Sequence, residues 1–156
     1  MEQTAARQQF NDQGAEKVKT KDLTDEVRNA SDFERVVERC KTEFMEEDFT
    51  QYLEELIKQH GISKKNLIIR ANIERGYAYQ IIRGERAPSR DKLLQIAIGL
   101  SATLEETQTL LKLGGKSELY SRVKRDAAIL FCLEKGYSII DTQIFLSDRN
   151  LPLLKE

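Results

Sequence analysis

Tryptophan is absent from this 156-residue chain, histidine occurs once, and cysteine and proline occur twice each. Each scarcity excludes something. A lone histidine, His60, leaves no His-based metal cluster and no Ser-His-Asp arrangement. It stands just before Gly61, where it suits the negative end of a helix. Cys40 and Cys132 each fall inside a helical apolar pattern, so they read as small buried hydrophobes, not as a disulfide or metal framework. No apolar run approaches the roughly 20 residues that cross a bilayer, and no basic-then-apolar leader opens the chain. A cytoplasmic protein with no membrane contact is expected. The carboxylate clusters Glu46-Glu47-Asp48 and Glu105-Glu106 have no nucleophile or histidine beside them, and Gly114-Gly115 lacks the Gly-Lys-Ser/Thr of a phosphate loop. No enzyme, cofactor or metal is expected.

What is present is charge and helical periodicity. The net charge of −1 conceals a segregation: residues 1–51 carry 8 basic and 13 acidic groups, residues 52–116 carry 11 and 7, and residues 117–156 carry 6 of each. Within 58–92 the count is 9 basic against 3 acidic. Because salt screens charges beyond about 8–10 Å, this local excess governs phosphate attraction more than the chain average does.

The pattern predicts an all-α chain without strands. Residues 1–30 are polar with isolated hydrophobics and read as a flexible arm. Ser31-Asp32-Phe33-Glu34 reads as a capping box opening a helix over about 32–46, with Phe33, Val36, Val37, Cys40 and Phe44 as its apolar stripe. Further helices are expected at about 49–60, from Ser63 through Ala71, at 74–82, from Ser89 through Leu100, and from Thr103 to about Leu113. Asn72 falls where the chain needs positive φ. This divides the chain into an arm (1–30), an N-terminal helix (31–48), a helical domain (49–115) and a C-terminal helical hairpin (116–156) on the same core.

That hairpin repeats what precedes it. At an offset of 35, Arg90-Asp91 matches Arg125-Asp126, Thr107-Gln108 matches Thr142-Gln143, and Leu111 matches Leu146. The cap Thr103/Glu106 faces Ser138/Asp141. Two stacked helical hairpins extending one core are expected.

Leu53 to Leu67 (LEELIKQHGISKKNL), then Ile73, Tyr77, Ile81, the run Arg83 to Ser89 (RGERAPS) and Leu93 to Ala97 (LLQIA) together resemble the phage-repressor-like, XRE-type helix-turn-helix domains. The resemblance covers about residues 53–113. It implies a lambda-repressor-like fold and a DNA-binding transcription regulator, with a recognition helix at about 74–82 in the major groove of double-stranded DNA. Base contacts are implied for Glu74, Arg75, Tyr79 and Gln80, and phosphate contacts for Ser63, Lys64, Arg83, Arg86, Ser89 and Arg90. Gly76 stands at a DNA-facing position and offers no side chain. Where the family commonly pairs an Arg with a Glu, this chain has Ile57 and Ile82, and Ile68 replaces a usual Ala. A homodimer is implied for regulation on paired half-sites, its surface supplied by the N-terminal helix or the C-terminal hairpin. The alternative is a protein-interaction adaptor or antitoxin-like module that keeps the helix-turn-helix frame without strong DNA binding, with a protein partner on the C-terminal hairpin.

Overall fold

Helix boundaries follow local chemistry, one capping residue at a time. The computed structural model describes residues 20–39 and 48–155; among these the regular elements are all helices and no strand occurs. The chain divides into two compact units, Met1–Glu46 and Glu47–Glu156.

In the first unit, α1 (Thr20–Asn29) occupies residues expected to belong to the arm. Its basis is local: Leu23 and Val27 share a face one turn apart, Asp22 lies in the first turn and Arg28 in the last, the signs that suit the helix dipole. Residues 1–19 lie outside the described residues. The next helix, α2, spans Phe33–Arg39. Asp32 tends its start in place of the expected Ser31, accepting a hydrogen bond from the Glu34 amide at 3.1 Å. Phe33, expected to head an apolar stripe, is exposed. Residues 40–47, with Cys40 and Phe44, are outside the described residues.

The second unit holds α3 (Phe49–Gln59), α4 (Lys64–Ala71), α5 (Arg75–Ile82), α6 (Arg90–Leu100), α7 (Leu104–Leu113), α8 (Lys124–Lys135) and α9 (Ile139–Asp148). Asp48, Ser63, Ser89, Thr103 and Ser138 each accept a hydrogen bond from the backbone amide three residues on, which satisfies an otherwise orphan donor. Thr103 and Glu106 form the full reciprocal capping box. His60 closes α3, and its Nε2 lies 2.9 Å from Glu106 Oε1, so the end of one helix is tied to the cap of another.

The centre of this unit is α6, buried at every residue from Lys92 to Leu100. A helix buried all round must serve two cores. Ile96, Ala97 and Leu100 join Leu53, Leu56, Leu67, Ala71 and Ile81 in one cluster. Leu93, Leu94 and Ile98 join Leu111, Ile129, Leu146 and Leu154 in the other. Each fully buried leucine or isoleucine contributes about 1.5–3 kcal/mol. Ile57, Ile68 and Ile82, the departures from the family pattern, are all buried in the first cluster. Gly99 lets α6 approach α4: a Cβ there would meet the Ala71 backbone at 3.0 Å.

The 35-residue repeat is carried in atomic detail. Arg90 binds Asp126 through two N–H donors (2.8 and 3.1 Å), and Arg125 binds Asp91 through two (3.1 and 3.2 Å). Arg90 also donates to the carbonyls of Ser117 and Glu118, and Arg125 to those of Pro152 and Leu153. Asp126 accepts the Tyr120 amide, and Asp91 the Lys155 amide. Gln108 clasps both backbone groups of Leu119, and Gln143 those of Leu154. Every bond has its counterpart 35 residues away. The Arg of each hairpin reaches the Asp of the other, the reciprocal pattern of a two-fold interface.

Candidate nucleic-acid interface

The α4–turn–α5 segment is held from both sides. Ser63 opens α4 with its hydroxyl accepting from the Asn66 amide at 3.1 Å, which leaves the hydroxyl proton to donate outward. Lys64 follows in the first turn. At the far end Asn72 adopts φ 57 and ψ 48, the left-handed conformation that turns the chain, and Ile73 is buried to anchor it. Gln95, buried on α6, donates its amide to the carbonyls of Ala71 (3.0 Å) and Asn72 (3.3 Å). Its oxygen in turn accepts from the buried Lys92 ammonium, which also donates to the Lys155 carbonyl at 2.8 Å. The turn that sets α5 is thus wired through α6 to the C-terminal tail. Neither Lys92 nor Gln95 stands out in the sequence; the available signal is two polar residues inside an otherwise apolar helix.

On α5, Arg75, Tyr79 and Arg83 recur every four residues and so form one stripe. Arg75 and Arg83 are exposed, while Tyr79 and Gln80 are half-buried. The Arg75 guanidinium lies 5.7 Å from the Tyr79 ring centre, and Arg86 lies 4.3 Å over the Tyr77 ring. Lys65, exposed in the first turn of α4, adds a cation that the family pattern does not single out. Beside it a groove of about 420 Å³ is lined by Ile68, Ile69, Ile73, Arg75 and Tyr79, and Ile69 is 65% exposed.

Several residues given a nucleic-acid role have internal commitments. Arg90 uses four of its five N–H donors on Asp126, Ser117 and Glu118, which commits it to the contact between the hairpins and leaves one donor for anything else. Glu74, assigned to bases, caps α5: its carboxylate accepts the amides of Gly76 (3.0 Å) and Tyr77 (2.9 Å). These two amides hold its pKa below the usual 4.5. The helix N-terminus that would attract a phosphate is already occupied by the chain's own anion. Ser89 caps α6, accepting from the Lys92 amide at 3.2 Å. Lys64 pairs with Glu54 at 2.9 Å and Arg83 with Glu85 at 2.8 Å, both on exposed surface. Ser63, Lys64, Arg75, Tyr79, Gln80, Arg83 and Arg86 remain on the α4–turn–α5 segment and the loop after it.

Among the described residues no group of three His, Cys, Asp or Glu side chains could hold a metal ion, and no helix is long and apolar enough to cross a membrane. Cys132 is a buried free thiol whose pKa is raised by burial. No protein-family model matches the chain, and comparison with curated proteins and with solved structures gave no match.

Proposed function

We propose that residues 53–113 form an XRE-type helix-turn-helix domain and that the chain is a DNA-binding transcription regulator, with α5 entering the major groove. One observation carries this reading: Arg75 and Tyr79, on a stripe that continues to Arg83, border the same groove as Lys65, on two helices joined by a turn whose carbonyls are clamped by Gln95. A fixed turn matters because base readout needs side chains held to within a fraction of an ångström. Arg75 would fork onto guanine O6 and N7, and Gln80 would pair with adenine. Ser63, Lys64, Lys65, Arg83 and Arg86 would take phosphates. Lys64 and Arg83 must leave Glu54 and Glu85 to do so. Exposed ion pairs of this kind contribute only about 0–1 kcal/mol, so a phosphate displaces the carboxylate at little cost. Regulation from paired half-sites calls for a dimer, since one such domain makes few base contacts.

The test is selection of bound duplexes from a random pool with the wild type and Arg75→Ala. The variant is expected to lose about 1–3 kcal/mol of discrimination at one or two positions and to keep its general affinity. Identical selected sequences for both proteins would remove Arg75 from the readout.

A second reading is favoured by the groove beside Ile69. An isoleucine 65% exposed and rimmed by Lys65 and Arg75 suits an acidic, apolar peptide, as in a protein-interaction adaptor or antitoxin-like module. The two readings part at low salt, where a regulator binds any duplex and an adaptor does not.

A further inference from the structure

One residue on α4 has no account in the fold. Leu67, Ile68 and Ala71 are buried and complete the inner face of this helix. Ile69 falls on the outer side and is 65% exposed. Among residues 48–115 it is the one large apolar side chain left in solvent. Local stability does not call for it. A β-branched residue lowers helix propensity, and a lysine or glutamine there would serve both the helix and its hydration better.

Ile69 is a ridge between two hollows. On one side lies the groove of about 420 Å³ described above, with Lys65, Ile68, Ile73, Arg75 and Tyr79. On the other, His60, Ile62, Asn66 and Arg70 line a second hollow of about 410 Å³. Ile69 borders both. Each hollow joins an apolar wall to a cation, and no Asp or Glu lines either one. Two carboxylates of neighbouring segments are engaged internally: Glu74 accepts the Gly76 and Tyr77 amides, and Glu106 the Thr103 amide beside His60.

We infer that the outer face of α4 is the docking site of an acidic amphipathic helix from a partner protein, which closes over Ile69 and lays an apolar side chain into each hollow. The occupant is a helix because a single isoleucine ridge between two hollows complements a helix surface, where one side chain enters the space among several others. An extended peptide needs a free sheet edge, and the described residues form no strand. A polyproline segment needs an aromatic-lined groove, and of Phe, Tyr and Trp these hollows offer only Tyr79. The occupant is acidic because Lys65, Arg75 and Arg70 rim the hollows with no carboxylate among them. A phosphate backbone would gain from these cations but has nothing to set against Ile69. The inference rests on the second reading above in taking the partner to be a protein, and adds its shape, its two anchors and its charge. Since Lys65, Arg75 and Tyr79 also belong to the proposed DNA surface, the docked helix and a duplex exclude each other.

Display selection on the full chain tests it. From a library of randomised helices about 14 residues long, the chain is expected to enrich sequences with two apolar positions one turn apart, flanked by Asp and Glu. A synthetic copy of the leading sequence should bind Ile69→Ala at least about tenfold more weakly than wild type, since most of an isoleucine side chain leaves the contact. Lys65→Gln and Arg70→Gln, one beside each hollow, should each weaken binding and flatten its salt dependence. All three positions are exposed, so the fold is kept, with unchanged helical circular dichroism as the check. No enrichment, or enrichment of basic or wholly polar peptides, overturns the inference. So do peptides that bind wild type and Ile69→Ala equally, a result that leaves the adaptor reading with another surface. At low salt the peptide should displace random duplex, and a ternary complex would overturn the mutual exclusion. A chain that takes the peptide and no duplex keeps the docking site and removes the DNA reading.

Discussion

Arg90 and Asp91 are neighbours in sequence but have different tertiary partners, Asp126 and Arg125, each 34 to 36 residues away. The Asp126 side chain is 7% exposed, so losing its guanidinium leaves a buried carboxylate uncompensated. Arg90→Ala is therefore expected to lower unfolding free energy by about 3–5 kcal/mol in urea titrations, a loss that a purely phosphate-binding arginine would not produce. Asp91 gives the matching pH dependence. Burial pushes its pKa up, but the Arg125 hydrogen bonds, the Lys155 amide and their charges outweigh burial and hold it below its ordinary 3.8. A carboxylate depressed in the folded state stabilises above its unfolded pKa and ceases to as pH falls through the folded value. The melting-temperature gap between wild type and Asp91→Asn should thus be constant near neutrality and close as pH drops below about 4; a gap independent of pH would separate Asp91 from this linkage. The family resemblance puts Arg90 among the phosphate contacts. The offset-35 match of Arg-Asp with Arg-Asp carries the signal of its internal pairing, which becomes visible only once both hairpins are set against each other.

At the scale of elements, starts and stops were legible where one side chain decides them. Ser63, Ser89 and Thr103 cap α4, α6 and α7 as their identity suggests, and Asn72 takes the positive φ that the turn requires. Where several residues compete, local reading failed. Asp32 displaced Ser31 before α2, Glu74 folded back onto α5, and α1 formed on two hydrophobics and two well-placed charges. The close approach of α4 and α6 was not legible, because a glycine inside a helix signals only lower propensity until its neighbour is known. Gly99→Ala would press a methyl onto the Ala71 backbone and is expected to cost about 1–3 kcal/mol despite better helix propensity. Equal or greater stability of this variant in thermal melts would mean that α4 yields without loss.

For the whole molecule, chain-average charge is a poor guide. A chain at −1 has a local excess of cations over α4, α5 and the following loop, and the candidate surface keeps Lys64, Lys65, Arg83 and Arg86 exposed or half-exposed after Arg90 is withdrawn. The all-α class and the repeat were legible because periodicity and duplication are properties of long stretches. The role of the tail was not, since Lys155 meets Lys92 and Asp91 across more than 60 residues.

DNA affinity as a function of salt bears most directly on the proposed role. With about four phosphate contacts per domain, the association constant for random duplex should fall with a log–log slope near −3 to −4 per bound domain, about 100-fold between 50 and 200 mM salt. Absence of binding at 50 mM, or binding indifferent to salt, would contradict a DNA-binding regulator.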